Sequence, residues 1–205
     1  MASRHAKSKK KNKKATVIIT GIALAVITTV TVLIIAQCHN GTGDKLKEVS
    51  YPRGYSEYVN AAAVKYNINP ALIYAVIRTE SGFNADAGSG AGACGLMQIM
   101  PETFDHYQYM RGEEGAYSHD ALFDPAVNID YGCYILREHL DTFENEECAV
   151  AAYNAGAGSV SSWLNDPNIS SDGKTLIVDN IPYNETRDYV HKVEDAKQVY
   201  LDLYY

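Results

Sequence analysis

The sequence lacks the residue groupings that build metal and redox centres. Its 205 residues include four cysteines, whose spacings match neither a zinc site nor a Cys-x-x-Cys motif. The six histidines show no His-Glu-x-x-His motif and no other paired ligand spacing. We therefore expect no metal and no cofactor.

Positive charge is scarce beyond the first residues of the chain. Seven of the 18 Lys and Arg residues lie within residues 1–14, which leaves 11 basic and all 25 acidic residues for the rest. That balance would repel phosphates, so we exclude a nucleic-acid-binding domain. With 46% hydrophobic and 21% charged residues, the composition is that of a globular protein of about one domain.

A long segment without charge follows the basic one. No Lys, Arg, Asp or Glu lies within residues 15–43, and residues 16–36 are apolar apart from threonines and one glycine. As a helix this stretch would span about 31 Å, roughly the hydrocarbon core of a bilayer. Because positive residues stay on the cytoplasmic side, we predict a basic cytoplasmic tail (1–15), a single transmembrane anchor (16–37) and an extracytoplasmic remainder that begins with a linker (38–54).

Two processed forms are alternatives to this anchor. A cleaved signal peptide has an apolar region of about 7–15 residues that ends at a small-x-small site, whereas the Ala-x-Ala here, Ala23 and Ala25, lies in mid-segment. Lipidation of Cys38 would also remove the span. However, Gln37 precedes this cysteine where a small residue is expected.

The remainder is predicted to be mainly α-helical. Asn69-Pro70 and Asp124-Pro125 each place a capping side chain before a proline at the first helical position. No alternating apolar pattern exceeds a few residues, which argues against strands. The predicted helices cover residues 55–66, 70–81, 101–109, 125–143, 148–155, 160–164 and 186–204.

Two of the cysteines lie on neighbouring predicted helices. Cys133 belongs to the helix predicted over 125–143, and Cys148 opens the next one. Outside the cell these two thiols could be joined by a disulfide. The alternative is that both are small buried apolar residues, which is a common role of free cysteine.

One carboxylate is a candidate general acid. Glu80 lies in the last turn of the helix predicted over 70–81, close to the apolar residues Ile73, Val76 and Ile77. The negative end of the helix dipole and an apolar environment both disfavour its ionised form, so they raise its pKa toward neutral pH. The Gly-rich stretch 85–95 that follows would let a polymeric ligand approach the backbone closely.

Three blocks of the sequence carry a family resemblance. They are Glu80-Ser81-Gly82-Phe83 with Ser89 and Gly95-Leu96-Met97-Gln98-Ile99-Met100-Pro101, then Ala151-Ala152-Tyr153-Asn154-Ala155-Gly156, and then Ile181-Pro182-Tyr183-Asn184-Glu185-Thr186-Arg187-Asp188-Tyr189-Val190. In this order they resemble the soluble lytic transglycosylase-type (SLT) catalytic domains of glycoside hydrolase family 23, within the lysozyme-like superfamily. The resemblance runs from about residue 55 to 204. One departure is Ala85, where many members have proline.

The resemblance implies a lysozyme-like helical fold over 55–205 and the glycan strands of peptidoglycan as substrate. The bond cut would be the β-1,4 bond between MurNAc and GlcNAc. Glu80 would protonate the leaving oxygen and then accept the proton of the MurNAc C6 hydroxyl, which attacks C1 and closes a 1,6-anhydro ring. Most glycosidases need two carboxylates, but here the sugar would supply its own nucleophile.

The resemblance also implies roles in substrate binding. The residues concerned are Ser89, Gln98, Met100, Tyr153, Tyr183 and Glu185. Ser89 and Gln98 would hydrogen-bond the sugars, and Tyr153 would place its hydroxyl near the reacting sugar unless it is a core tyrosine. Asn154 and Arg187 are expected in structural roles.

The expected protein is a membrane-anchored lytic transglycosylase that acts outside the cell membrane, in wall remodelling or local wall opening. One alternative is a hydrolase on the same fold that uses Asp86 or another acid to activate water. Another is an inactive glycan-binding module of a secretion or conjugation assembly, whose partner the sequence does not identify. The intact motif around Glu80 favours an enzyme.

Overall fold

The computed structural model describes Thr29, Lys45 and residues 47–205. The chain divides into two compact units, Met1–Ser50 and Tyr51–Tyr205. The predicted anchor (16–37) lies outside the described residues except for Thr29, as do the basic tail and Cys38. Across the described part of the chain, no helix combines the length and the apolar character needed to cross a membrane.

The Tyr51–Tyr205 unit is built of α-helices, which confirms the mainly α prediction. They are α1 (Ser56–Tyr66), α2 (Pro70–Ser81), α3 (Pro101–Met110), α4 (Pro125–Phe143), α5 (Glu146–Ala155), α6 (Ala157–Leu164) and α7 (Asn184–Tyr204). Two short 3-10 segments, His119–Phe123 and Val178–Asn180, connect some of them. Within residues 47–205, β pairing is limited to isolated bridges that join Cys94 to Gly88 and to Ile99.

Side-chain caps set the ends of the helices around the site. Asn69 Oδ1 accepts a hydrogen bond from the backbone N–H of Ala71 at 2.9 Å, and Pro70 occupies the first turn of α2. Gly82 ends α2 in the left-handed region, with φ of 57°. Asp124 caps α4 in the same way as Asn69, by accepting from two backbone N–H groups of the first turn. These predicted boundaries are confirmed.

Three helices begin earlier than predicted. α5 begins at Glu146 rather than 148, because the Asn145 side chain accepts from the backbone N–H of Cys148 at 2.9 Å and caps the helix there. α6 begins at Ala157 rather than 160, and α7 begins at Asn184 rather than 186. The 3-10 segments were too short to show a helical period in the sequence.

α2, which carries Glu80, is the central helix of the unit. Every side chain from Ala71 to Ile77 is buried, so this helix is enclosed on all sides. α7 packs against α2 with Val190, Val193 and Tyr200 buried, as their helical spacing predicts. Burying an aliphatic side chain of this size contributes about 1.5–3 kcal/mol, so the α2–α7 contact holds the site-bearing part of α2 rigidly.

The first residues of the helical unit are held by its last helix. The Tyr200 hydroxyl donates a hydrogen bond to the Pro52 carbonyl at 3.0 Å, and the Tyr204 hydroxyl donates to the Tyr51 carbonyl at 2.8 Å. The Arg53 guanidinium lies 4.2 Å from the centroid of the Tyr204 ring. The linker predicted over 38–54 includes residues 51–53, which therefore pack as part of this unit.

Cys133 and Cys148 are not bridged. Both are free and fully buried, so of the two interpretations the structure supports that of small apolar residues. Burial raises the pKa of both thiols, that of Cys148 to about 11. A thiol protonated at neutral pH is a poor nucleophile, so these cysteines are chemically inert in the folded unit.

Candidate active site

Glu80 lies in the last turn of α2, directly before the residues that end the helix. The Tyr189 hydroxyl of α7 donates a hydrogen bond to Glu80 Oε1 at 2.7 Å. The pKa of Glu80 is raised from 4.5 to about 7. Burial is the largest cause, the Tyr189 hydrogen bond acts in the opposite direction because it stabilises the carboxylate, and the negative charge of Glu185 raises the pKa further. A carboxyl group of this kind is partly protonated at neutral pH.

Tyr153 is a second tyrosine on which the charge of Glu80 acts. It extends from α5, is half-buried against the core, and donates its hydroxyl to the Met97 carbonyl at 2.8 Å. Burial, and next the negative charge of Glu80, raise the pKa of both Tyr153 and Tyr189 well above the usual value. Both hydroxyls therefore stay protonated at neutral pH and serve as hydrogen-bond donors beside the acid.

Tyr189 is the residue of this site that sequence reasoning misses. It belongs to the third sequence block, but its type alone gives no sign of its partner, Glu80, 109 positions earlier. The available signal is its spacing from Glu185. Residues four apart lie on one face of a helix, so a helix that points Glu185 at the acid also brings Tyr189 toward it.

Gln98 belongs to a loop that is closed on itself. Cys94 and Ile99 exchange two backbone hydrogen bonds of 3.0 Å each, which closes the loop 94–99. Gln98 adopts a left-handed φ of 47°, uncommon for a residue other than glycine. Its Nε2 donates to two carbonyl groups of the Gly-rich stretch, at 2.8 and 3.1 Å. Sugar binding by Gln98, as the resemblance implies, would therefore rely on Oε1.

This loop, referred to below as the 94–99 loop, is attached to the end of α2. Ser81, the neighbour of Glu80, donates its hydroxyl to the Leu96 carbonyl at 2.8 Å. Gly95, at φ of 76°, has no space for a side chain, because a Cβ there would lie 2.1 Å from the Leu122 carbonyl oxygen. The loop therefore has a fixed position relative to the acid.

The other predicted binding residues are at least partly exposed. Ser89 is exposed, and its hydroxyl oxygen accepts from the backbone N–H of Ala93 at 2.9 Å. Met100 is partly buried directly before α3, and Tyr183 is 55% exposed directly before α7. Glu185 is exposed in the first turn of α7. Of these residues, Glu185 is the one whose charge acts on Glu80.

Tyr183 has an aromatic support. Its ring meets the Trp163 ring of α6 edge to face, with centroids 5.2 Å apart. Trp163 itself is buried, so the exposed tyrosine is held in place by a rigid neighbour. An exposed ring supported in this way offers a flat surface on which a sugar can stack, which agrees with the role that the resemblance implies.

Asn154 and Arg187 make the structural contacts expected of them. The Thr186 hydroxyl donates to Asn154 Oδ1 at 2.7 Å, which joins α5 to α7. Arg187 Nη2 donates to Asn184 Oδ1 at 2.9 Å within the first turn of α7. The first contact links the neighbours of Tyr153 and Glu185, so it fixes the two site helices relative to each other.

Comparison with known proteins places this arrangement in a family. Residues 57–175 match the family model described as Transglycosylase SLT domain. The chain is 36% identical over 151 residues to the soluble lytic murein transglycosylase of Escherichia coli (strain K12). It is 35% identical over 167 residues to the membrane-bound lytic murein transglycosylase C of Serratia proteamaculans (strain 568). These alignments cover 73% and 71% of this chain but 23% and 46% of the relatives, so the chain spans less than half of their length.

Solved structures show the same architecture. The 70 kDa soluble lytic transglycosylase from Escherichia coli aligns with a TM-score of 0.68 and 34% sequence identity, over 75% of this chain and 25% of that chain. An inactive Glu-to-Gln mutant of the lytic transglycosylase Slt from Pseudomonas aeruginosa aligns with a TM-score of 0.67 and 34% identity, over 76% of this chain and 25% of that one. The family model matches more than half of the sequence, and the chain therefore belongs to the Transglycosylase SLT domain family.

Proposed function

We propose that the chain is a lytic transglycosylase that cleaves the β-1,4 bond between MurNAc and GlcNAc in peptidoglycan and leaves 1,6-anhydro-MurNAc. The observation that carries this proposal is the partly buried carboxyl of Glu80, with a pKa of about 7 and a tyrosine hydroxyl bound to it. Such a group can both give and take a proton at neutral pH. The relatives named as lytic murein transglycosylases support the same activity.

Glu80 acts first as an acid. Its protonated carboxyl gives the proton to the bridging oxygen while the bond from that oxygen to C1 of MurNAc breaks and positive charge develops at C1. The carboxylate that remains is stabilised by the hydrogen bond from Tyr189, at 2.7 Å, and its negative charge faces the developing cation.

Glu80 then acts as a base. The C6 hydroxyl oxygen of the same MurNAc attacks C1, and its proton passes to the Glu80 carboxylate, which restores the starting form of the enzyme. One bond to C1 replaces another and no water is consumed. The attack is intramolecular, so the sugar carries its own nucleophile and a large proximity advantage. A single carboxyl group therefore suffices for both steps.

The structure offers little support for a hydrolase that depends on Asp86. Asp86 lies in the exposed Gly-rich stretch, where its backbone N–H donates to Asn84 Oδ1 at 3.1 Å. The carboxylate whose charge acts on Glu80 is instead Glu185. Glu185 therefore remains the candidate for activation of water in a hydrolase, and the products decide between the two reactions.

The reaction is tested by mass spectrometry of peptidoglycan digested with the full-length protein. We expect every new MurNAc end to be 1,6-anhydro-MurNAc, with a Glu80→Gln sample as the control for contaminating activity. Ends heavier by one water, which are reducing MurNAc, would identify a hydrolase. Peptidoglycan that is bound but never released as fragments would identify a glycan-binding module.

We further propose that residues 16–37 anchor the protein in the cell membrane as a single span, with residues 1–15 in the cytoplasm and the helical unit outside. Support comes from the length of the uncharged segment, from its basic flank, and from a relative that is itself named membrane-bound. Such an anchor would confine cutting to glycan near the membrane, as wall remodelling or local wall opening requires. The intact mass of protein purified from membranes tests this: the full chain is expected, and a mature chain that begins at a lipidated Cys38 would contradict the span.

A further inference from the structure

α4 carries a fully buried side-chain amide, that of Asn128, which is not among the residues assigned to the site so far. Asn128 is 0% exposed. Its Oδ1 accepts from the backbone N–H of Met97 at 2.7 Å, and its Nδ2 donates to the carbonyls of Leu122 at 2.7 Å and Cys94 at 3.0 Å. Three backbone groups from two separate segments are thus satisfied by one side chain, which gives that side chain a defined position.

The 94–99 loop is pressed against α4 at this point. A Cβ on Gly95 would lie 2.3 Å from Asn128 Nδ2, and a Cβ on Gly132, one turn later on α4, would lie 2.4 Å from the Met97 sulfur. Asn128 and Gly132 are four residues apart, so both lie on the helix face that receives the loop. The contact is close-packed, and a change in the Asn128 side chain must therefore displace the loop.

The loop transmits this position to the site through the backbone of Met97. Its N–H is held by Asn128, and its carbonyl accepts the hydroxyl of Tyr153 at 2.8 Å. The adjacent carbonyl of the loop, that of Leu96, accepts the hydroxyl of Ser81, the neighbour of Glu80, at 2.8 Å, so Tyr153 meets the loop next to the end of α2. The charge of Glu80 acts on Tyr153 at this point. Two hydrogen bonds and one residue of backbone therefore separate Asn128 from the tyrosine beside the acid.

We propose that Asn128 is a positioning residue for the reaction, which acts through the Met97 backbone to hold the Tyr153 hydroxyl beside Glu80. The inference rests on the proposed function, since it takes Glu80 as the reacting acid. Without Asn128, the Met97 peptide loses its hydrogen bond to α4, and the carbonyl that accepts the Tyr153 hydroxyl is held less firmly. A misplacement of about 1 Å at a reacting centre can lower the rate on the order of 100-fold.

The chain supplies a matched control in Gln108. This amide is also buried, at 2% exposure, and also ties a helix to loop backbone: it accepts from the Tyr117 N–H at 3.0 Å and donates to the Tyr117 carbonyl at 3.2 Å. The loop that it holds follows α3 and is not the loop that bonds Tyr153. Loss of Gln108 therefore removes a comparable buried amide without removing the link through Met97.

The test is a double-mutant cycle on the full-length protein. The measured quantity is kcat, taken as the rate of fragment release at saturating peptidoglycan. The temperature is one at which circular dichroism shows that every variant is folded. We expect Asn128→Ala to lower kcat roughly 10- to 100-fold with little change in KM, and Gln108→Ala to leave kcat unchanged. If Asn128 acts through Tyr153, the double variant with Tyr153→Phe has a kcat no lower than Tyr153→Phe alone. Three results would each overturn the proposal: a double variant in which the two separate losses of kcat multiply, a wild-type kcat in Asn128→Ala, or a wild-type kcat in Tyr153→Phe.

A second variant serves if Asn128→Ala does not fold. Asn128→Asp keeps an acceptor for the Met97 N–H and, because burial favours the protonated carboxyl, a donor for one of the Leu122 and Cys94 carbonyls. The same cycle with Tyr153→Phe then decides the question by the same criterion. This variant is also expected to retain more kcat than Asn128→Ala where both fold. Wild-type protein that releases no anhydro-MurNAc would reject the proposed function, whereas an active wild type with no coupling between Asn128 and Tyr153 would reject this inference alone.

Discussion

Glu80→Gln is expected to lower kcat for the release of peptidoglycan fragments by at least 10²- to 10⁴-fold, the usual contribution of a general acid or base. Gln is nearly isosteric and can still accept the Tyr189 hydrogen bond, so the fold of the site is kept while the exchangeable proton is lost. KM should change little, because the loss falls on the reaction steps rather than on glycan binding. The measurement is the initial rate of soluble fragment release at saturating peptidoglycan.

Asp86→Asn is the matched control for this loss. Asp86 is an exposed carboxylate six residues after Glu80, and we expect its variant to keep the wild-type rate. The wild-type rate should also fall as pH rises through about 7, because Glu80 must be protonated to start the reaction. A Glu80→Gln variant that cuts peptidoglycan at the normal rate would show that Glu80 is not the general acid. A large loss in Asp86→Asn would instead favour the hydrolase.

Glu80→Gln is also expected to stabilise the folded protein at neutral and alkaline pH. In the unfolded chain Glu80 ionises at its ordinary pKa of 4.5, whereas in the folded protein its pKa is about 7. Between these values the folded state binds the proton more tightly, so the free energy of unfolding decreases as pH rises from 4.5 to 7 and stays lower above it. The shift corresponds to about 3 kcal/mol, at 1.36 kcal/mol for each pKa unit.

Glu80→Gln removes this cost because glutamine does not ionise. We expect its unfolding temperature to exceed that of the wild type by roughly 6–12 °C at pH 8, and the two proteins to converge at pH 4. Thermal unfolding followed by circular dichroism at several pH values measures the difference. Asp86→Asn should show no comparable gain. Equal unfolding temperatures of wild type and Glu80→Gln at pH 8 would mean that the Glu80 carboxylate is not destabilised by burial.

Local signals in the sequence were sufficient to locate most helices. Asn69-Pro70 and Gly82 mark the two ends of α2, and both act through groups next to them in the chain. The place of Glu80 in the last turn of that helix makes it a candidate acid, and the resemblance to the SLT family is what singles it out. These features are local, because capping and helical spacing depend on residues a few positions apart. The Asn145 cap that starts α5 two residues earlier than predicted is equally local, so the sequence contained a signal for it that the prediction did not use.

The parts of the site that depend on distant residues could not be predicted in this way. Tyr189 reaches Glu80 across 109 positions, and Asn128 reaches Met97 across 31. Nothing in the neighbouring sequence of either residue specifies the partner, since the contacts arise from the packing of whole helices. The amide of Gln98 is also set by the fold: its residue type fits sugar binding, but its N–H groups donate to two carbonyls of the Gly-rich stretch.

The contact between the two ends of the helical unit affects the stability of fragments of this chain. A fragment that started at Tyr55, where the helical pattern begins, would lack the carbonyls of Tyr51 and Pro52 that accept the hydroxyls of Tyr204 and Tyr200. Tyr200 is 0% exposed, and a buried hydroxyl without an acceptor costs about 1–3 kcal/mol. A fragment that starts at Tyr51 is therefore expected to be more stable than one that starts at Tyr55, four residues later, where the first helix shows in the sequence.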